Sequence, residues 1–343
     1  MNQLQEILFQ LCQAPGVAGR EDGAAQTARQ LLSFLPDVTV DTMGSVVAHF
    51  GNLESEHHIL LDAHLDQIGM LVTSVNENGF VKVARDGGMD RRVLPGSRVV
   101  VYGKETLNGI VCCLPPHLTD GGEDKVPDIT EMAVDVGLSK EEADALIQPG
   151  DVVLLPGEPR RLLGSRVTGA ALDDRAGCAA LIRCAHLLQD ESLPCKVTLL
   201  LSTREEVGSQ GAETAAFREK PDLAIAVDVS FAEQPGVPAH KCGKLSEGPM
   251  IGISPVLDKP ITDTLQRLAK EQDIPYQLEV MGGRTGTNAD EINTTRSGIR
   301  CGLVSIPQRN MHTPAEICDL SDIENVARLL AAFIREVGTS WQI

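Results

Sequence analysis

A helical pattern followed by a strand pattern occupies residues 171–206, which read ALDDRAGCAALIRCAHLLQDESLPCKVTLLLSTREE. This stretch predicts a helix over residues 174–189 and an aliphatic strand over 196–202 that ends in polar residues. The alternation continues toward the C-terminus, with helices predicted at 212–218, 261–271 and 321–337 and strands at 223–229, 276–280 and 301–306. Helices that alternate with apolar strands are typical of a layered α/β sheet.

The residues before this stretch divide into two parts of different character. Residues 2–35 have apolar side chains at helical spacing, and strands are predicted to follow them. From about residue 70 to 163 the sequence instead predicts many short strands and one helix, which begins with a capping box of Ser139 and Glu142. We therefore predict a single α/β domain that is interrupted by an inserted, β-rich block.

The charge and composition of the 343-residue chain exclude several classes of partner. The chain has 30 Lys and Arg against 48 Asp and Glu, which gives a formal net charge of −18. Because nucleic acids and anionic membrane surfaces are bound first through clustered Lys and Arg, we expect neither as a partner. The ten aromatic residues, with one tryptophan among them, also disfavour a polysaccharide-binding cleft.

The cysteines and apolar segments predict a cytoplasmic protein. The nine cysteines are odd in number and contain no Cys-x-x-Cys pair, as expected in a reducing compartment. The first 16 residues lack the basic region and cleavage site of a signal peptide. No apolar run reaches the ~18 residues that are needed to cross a bilayer.

Polar side chains follow four of the predicted strands at the points where the strands end. In chain order they are His64 and Asp66, Glu205 and Glu206, Asp228 and, after a loop, His312. Because ligands of open α/β sheets bind just beyond the carboxyl ends of the strands, we expect these side chains to share one crevice. Asp173, which stands just before the helix at 174–189, adds a fifth segment to the same set.

Taken alone, each feature also has an ordinary structural explanation. The aspartate pair at 173–174 can cap a helix, the glutamates at 205–206 can form a solvated turn, and the His-x-Asp at 64–66 can be structural. Five carboxylates in one crevice change this balance, because each pair at ~4 Å repels by about 4 kcal/mol at an effective dielectric near 20. The crevice therefore needs cations, and a pair of divalent ions suits its Asp, Glu and His residues.

These residues lie in five motifs: AHLDQIG at 63–69, LDDR at 172–175, EEVG at 205–208, VDV at 227–229 and MHTP at 311–314. Over nearly the whole chain the sequence resembles the dinuclear metallo-aminopeptidases that include glutamyl aminopeptidase and the tetrahedral, twelve-subunit (TET) aminopeptidases. The resemblance implies a layered α/β/α metallopeptidase domain with a zinc-peptidase-like mixed sheet, formed by residues 1–67 and 162–343. It implies that residues 68–161 form an inserted, small β-barrel-like lid and dimerisation domain. It also implies a homo-oligomer, with a tetrahedral dodecamer built from dimers as one form.

The resemblance also implies a ligand set for two divalent metal ions per chain. Asp173 would bridge the two ions, His64 and Asp228 would complete one site, and Glu206 and His312 would complete the other. Zinc is the expected metal, with cobalt and manganese as alternatives, because Asp, Glu and His suit several ions.

By the same resemblance, Glu205 would be the general base and Asp66 would accept the second ring N–H of His64. The predicted activity is that of a metal-dependent aminopeptidase. It would hydrolyse N-terminal residues from peptide substrates through a metal-bridging hydroxide.

Other functions stay open at this point. A related dinuclear deacylase or carboxypeptidase would use a similar sheet, and a non-catalytic metal-binding homologue would be favoured by loss of Glu205 or of a ligand. Relatives labelled endoglucanases are disfavoured here by the scarcity of aromatic residues. The loop GRTGTNA at 283–289 resembles a substrate-pocket loop, but Asn288 stands where an aspartate is common, so the side-chain preference is left open.

Overall fold

The structure, a computed structural model, describes residues 2–118 and 126–340. In chain order its helices and strands are α1 (Asn2–Gln13), α2 (Asp22–Leu31), β1 (Asp37–Val40), β2 (Val46–Gly51), β3 (His58–His64), β4 (Gly69–Val75), β5 (Val81–Asp86), β6 (Arg98–Tyr102), β7 (Thr106–Val111), β8 (Val134–Asp135), α3 (Lys140–Leu146), β9 (Val152–Leu154), β10 (Arg160–Arg161), β11 (Arg166–Gly169), α4 (Leu172–Leu188), β12 (Lys196–Ser202), α5 (Gln210–Glu219), β13 (Leu223–Phe231), β14 (Met250–Ile253), α6 (Lys259–Glu271), β15 (Gln277–Val280), α7 (Ala289–Ile292), β16 (Arg300–Gln308), β17 (Glu316–Asp319) and α8 (Leu320–Ser340). The sequence DGG at 120–122 predicts a further loop, and it lies outside the described residues. None of the described helices combines the length and the apolar character that crossing a membrane requires.

An eight-stranded mixed sheet forms the centre of the α/β part, in the order β1-β2-β12-β3-β13-β16-β14-β15. Its inner strands β12, β3, β13 and β16 run parallel, whereas β2 and β14 pair with them antiparallel. Because successive side chains of a strand point to opposite faces, Ile59 and Leu61 of β3 enter one hydrophobic core and Leu60 enters another. The first core includes α1, α4 and α8, and the second includes α5 and α7. The sheet is therefore the middle layer of an α/β/α sandwich.

Six strands between β3 and α4 close into a barrel, in the order β4-β5-β8-β7-β6-β9. The barrel has its own hydrophobic core, to which Met70, Val99 and Val153 contribute fully or almost fully buried side chains. Helix α3 begins at the predicted capping box, in which the Ser139 and Glu142 side chains each accept from the other residue's backbone N–H.

The predicted fold class, a layered α/β domain with an inserted barrel, is confirmed. The barrel strands run from Gly69 to Leu154, inside the predicted insertion at 68–161, whose bounds stay a prediction. The sequence did not predict the short strands β1, β8, β10, β11, β14 and β17. Of these, β8 has two residues and closes the barrel between β5 and β7. Strands this short carry too few residues to show a recognisable alternation of side chains.

A fully buried arginine joins the N-terminal helix to the central sheet. Arg175, in the first turns of α4, donates from Nε to the carbonyl oxygen of Leu65 at 3.1 Å and from Nη2 to that of Gly16 at 3.4 Å. Its Nη1 donates to the carbonyl oxygens of Leu11 and Ala14, at and just beyond the end of α1. One guanidinium therefore satisfies backbone carbonyls that the end of a helix would otherwise leave unpaired.

Replacing Arg175 with Met is expected to lower the free energy of unfolding by about 3–5 kcal/mol, because buried carbonyl groups lose their charged donor. A urea titration followed by circular dichroism measures the change. The matched control is Arg183→Met on the same helix, where a partly exposed ion pair with Glu324 is lost and the expected cost is under about 1 kcal/mol. Equal losses in the two variants would contradict this account of Arg175.

Candidate metal centre and active site

The carboxyl ends of the parallel strands meet at one edge of the sheet, and the predicted polar residues lie there. The last residue of β3, His64, is in register with the last residue of β12, Ser202. Asp228 lies in the adjacent strand β13, and the turn that carries Glu205 follows β12 directly. The structure brings all seven predicted residues into one cluster in which each is within 4.0 Å of another member: His64, Asp66, Asp173, Glu205, Glu206, Asp228 and His312.

Two groups of three side chains within this cluster share Asp173. In the first, His64 Nε2 lies 3.1 Å from Asp173 Oδ1 and 3.9 Å from Asp228 Oδ1. In the second, His312 Nε2 lies 3.2 Å from Asp173 Oδ2 and 3.3 Å from Glu206 Oε1. In each group the ligand atoms all lie within 4.8 Å of one another. Asp173 thus directs one carboxylate oxygen to each histidine.

The next residue, Asp174, bonds to the first turn of helix α4. Asp174 is fully buried, and its Oδ1 accepts from the backbone N–H of Gly177 in α4, while Oδ2 accepts from that of His64. The peptide bond between Asp173 and Asp174 is cis. The two aspartates therefore divide the two functions that the sequence left open for the pair, helix capping and a place in the crevice.

Hydrogen bonds between the carboxylates and the histidines of the cluster shift the pKa values of both. Burial would raise the pKa of Asp173, but hydrogen bonds from His312 and His64 hold it well below its usual range. Burial would lower the pKa of His312, yet hydrogen bonds to Asp173 and Glu206 outweigh burial and raise it to about 11. A cation that binds through the histidine Nε2 atoms must displace protons, so metal affinity should increase with pH.

Asp66 holds the turn that carries the two glutamates. Its Oδ1 accepts from the backbone N–H of Glu205 at 3.1 Å and its Oδ2 from that of Glu206 at 3.0 Å. The His64 Nδ1 atom lies 3.0 Å from the backbone oxygen of Asp66 and 3.6 Å from its carboxylate. The sequence predicted that the Asp66 carboxylate accepts the second ring N–H of His64, but the backbone oxygen of Asp66 is the nearer partner of that ring nitrogen. The carboxylate is instead held by the two backbone N–H groups and positions both glutamates.

Glu205 lies next to the first group of three without being part of it. Its Oε2 is 4.0 Å from His64 Nε2. Burial raises the pKa of Glu205 to about 7, with the carboxylates of Glu206 and Asp173 acting in the same direction and His64 opposing them. A carboxyl group with this pKa can both accept and release a proton near neutral pH.

Two residues of the site were not predicted. The buried carboxylate of Glu316 accepts from the backbone N–H of Asp173 at 3.2 Å and from that of His312 at 3.0 Å, so it joins the segments that carry both residues. The backbone oxygen of Gly88, in the barrel loop after β5, lies 3.0 Å from His312 Nδ1. The one sequence signal for Glu316 is an acidic residue four positions after His312, and a backbone carbonyl leaves no signal in residue type.

A cavity of about 670 Å³ opens from the cluster toward β14 and β15. Thr285, Gly286 and Thr287 of the predicted pocket loop line it. Asn288 of the same loop is instead buried, where its Nδ2 donates to Asp62 and Ser202. The predicted pocket loop therefore reaches the cavity through its middle residues.

The family to which this fold and site belong is one of peptidases, which are hydrolases. The family model of the M42 glutamyl aminopeptidases matches residues 44–329, so the chain belongs to this family, as its motifs predicted. The lysyl aminopeptidase of Pyrococcus furiosus is 31% identical over 339 residues, which cover 97% of each chain. The chain is an aminopeptidase, a hydrolase that acts on peptide bonds.

Solved structures show the same fold along the whole chain. An aminopeptidase from the archaeon Desulfurococcus kamchatkensis has a TM-score of 0.92 at 33% identity and covers 98% of this chain, with 95% of its own chain covered. The TET1 peptidase of Pyrococcus horikoshii, which can assemble into a tetrahedron or a large octahedral shell, has a TM-score of 0.87 at 30% identity, with 97% of this chain and 99% of that chain covered.

Proposed function

We propose that this aminopeptidase is metal-dependent and holds two divalent ions in its cluster. His64, Asp173 and Asp228 would hold the first ion, and Asp173, Glu206 and His312 would hold the second. The observation that carries this proposal is the pair of Asp173 oxygens, each directed to a different histidine. Ligand atoms bound to one ion at ~2.0–2.2 Å lie roughly 3–4 Å apart, which the present spacing of 3.1 to 3.9 Å fits. Zinc suits these donors, with cobalt and manganese as alternatives.

The catalytic work of the chain itself falls to Glu205. When bound, two divalent ions polarise a scissile carbonyl and lower the pKa of a nearby water molecule. The Glu205 carboxylate takes a proton from the water that attacks the N-terminal peptide bond and passes it to the departing amine. Asp66 acts on this step indirectly, because its two backbone hydrogen bonds fix the turn on which Glu205 stands.

We further propose a homo-oligomer, with a tetrahedral dodecamer built from dimers as one form. The assembly of the Pyrococcus horikoshii relative into a tetrahedron supports this proposal. The insertion at 68–161 would serve as lid and dimerisation domain of the α/β domain formed by 1–67 and 162–343. A cytoplasmic location stays a prediction from cysteine usage.

We expect the enzyme to cleave aminoacyl-anilides that have a free α-amino group. We expect no cleavage of three other substrates: N-acetylated amino acids, peptides with a blocked N-terminus and a free C-terminus, and β-glucan. Cleavage should stop after chelation with 1,10-phenanthroline and return on addition of zinc, cobalt or manganese. Release of p-nitroaniline measures the rates. Hydrolysis of the acetylated substrates would favour a deacylase, and hydrolysis of the blocked peptides would favour a carboxypeptidase. Anilide cleavage that survives complete removal of metal would contradict metal dependence.

A further inference from the structure

The wall of the cavity carries a carboxylate that the mechanism does not use. Glu279, the third residue of β15, lines the cavity and is half-buried. Its Oε2 accepts from Ser305 Oγ at 2.7 Å, and its Oε1 accepts from Ser230 Oγ. Both serines are buried, so each oxygen of the carboxylate has a fixed donor and the group is held in one orientation.

This carboxylate lies beside the metal cluster. Ser305 is the registered neighbour of Asp228 in the adjacent parallel strand. Ser230 follows Asp228 by two residues in the same strand, so their side chains point to the same face of the sheet. Both serines that hold Glu279 are therefore neighbours of Asp228, a proposed metal ligand. Ser305 lies beside it in the next strand, and Ser230 lies on the same face of its own strand. Glu279 and the cluster line the same cavity, so a substrate with its scissile bond at the cluster would extend its first side chain into the space that Glu279 borders.

Glu279 has no basic partner among residues 2–118 and 126–340. The ion pairs of 4.0 Å or less in this part of the chain do not include its carboxylate. Lys241, an exposed residue on the wall of the same cavity, forms no such pair with it. Both serines donate to the carboxylate, and a hydroxyl supplies no positive charge. A carboxylate that is oriented but not neutralised in a cavity is suited to a cationic ligand.

The rest of the nearby wall suits the stem of a long side chain. Met250, Met281, Leu303 and Met311 also line the cavity, and Met250 is the registered neighbour of Ser305. Lys and Arg side chains bury their methylene groups along apolar surface and keep the charged end at a polar partner. The cavity of about 670 Å³ is within the size range of ligand pockets, roughly 300–1,000 Å³.

We propose that Glu279 selects substrates whose N-terminal residue is lysine or arginine, by pairing with the cationic end of that side chain. The proposal rests on the proposed function, because it places the scissile bond at the cluster. Glu279 is a specificity residue here and takes no part in bond cleavage.

The test compares lysine with norleucine, which has the same stem without the ammonium group. With p-nitroanilides, kcat/KM for lysine should exceed that for norleucine by roughly 10- to 100-fold, as expected for a charged hydrogen bond in a cavity. Glu279→Gln removes the charge, keeps an acceptor for one serine and turns an amide N–H to the hydroxyl oxygen of the other. It should remove most of the advantage of lysine and change the rate for norleucine by less than about threefold. Glu247→Gln, an exposed change that also removes one negative charge, should change neither rate.

Binding supplies a readout that does not depend on turnover. Calorimetry should show that free L-lysine binds the wild-type protein more tightly than L-norleucine, and that Glu279→Gln removes this difference.

Cleavage of norleucine and leucine substrates without any advantage for lysine would overturn the role of Glu279 and leave the proposed function standing. An equal loss for all substrates in Glu279→Gln would also overturn it, because the carboxylate would then serve the α-amino group that they share. A preference for N-terminal glutamate would do so as well, since it would assign selection to Lys241. Failure to cleave any of the anilides, with lysine still bound through Glu279, would count against the proposed function alone.

Discussion

Replacing Glu205 with Gln is expected to lower kcat for N-terminal hydrolysis by roughly 10²- to 10⁴-fold, the usual contribution of a general acid–base group. The amide keeps the size of the side chain but cannot accept the proton of the attacking water. The backbone N–H of residue 205 still bonds to Asp66, so the turn keeps its position. Metal content should be unchanged, because Glu205 belongs to neither group of proposed metal ligands.

The neighbouring residue supplies the control for this experiment. Glu206→Gln should lose metal together with activity, because Glu206 Oε1 faces His312 in the second group. Atomic emission on gel-filtered protein measures the metal content, and initial rates with a leucine anilide measure turnover. Full activity in Glu205→Gln would show that another group is the base.

Replacing Asp173 with Ala is expected to remove both metal ions and to lower turnover by more than about 10³-fold. Asp173 is the one residue common to both groups of side chains in the described part of the chain. Its loss leaves two potential ligands at each site, which are too few to hold a divalent ion against exchange with water. Metal analysis of the purified variant should give close to zero ions per chain.

Variants of Asp228 and Glu206, each of which belongs to only one of the two groups, test whether the double loss is particular to Asp173. Asp228→Ala and Glu206→Ala should each deplete mainly the site to which that residue belongs, so each should retain more metal than the Asp173 variant. Retention of two ions by Asp173→Ala would refute the bridging role. Equal depletion in all three variants would show that the two sites fill only together.

The sequence predicted the α/β layers and the main residues of the site because both depend on strong local patterns. Strands β3, β12 and β13 are rich in aliphatic residues, and His64 ends β3, Glu205 follows β12 and Asp228 lies in the carboxyl-terminal half of β13. In a parallel sheet these ends must lie at one edge, so the meeting of His64, Glu205 and Asp228 follows from the order of the elements.

The remaining features depend on contacts between distant parts of the chain. Glu316 and Gly88 act through backbone groups of His312 and Asp173, and such contacts have no counterpart in local periodicity. The significance of Glu279 also could not be predicted, because the alternation within its strand does not show that β14 and β15 extend the sheet beside β16. That order places its carboxylate over two serines next to the site.

The hydrogen bond from His312 to the barrel has a consequence for attempts to simplify this enzyme. Because Nδ1 of His312 is 3.0 Å from the Gly88 carbonyl oxygen, the ring is held with Nε2 directed at the cluster. Deleting the barrel to obtain a smaller catalyst would remove this contact to the imidazole, even though every proposed metal ligand lies outside the barrel. The barrel and the α/β layers therefore both shape the cluster, and transplanting the barrel between relatives would have to carry the loop that contains Gly88 with it.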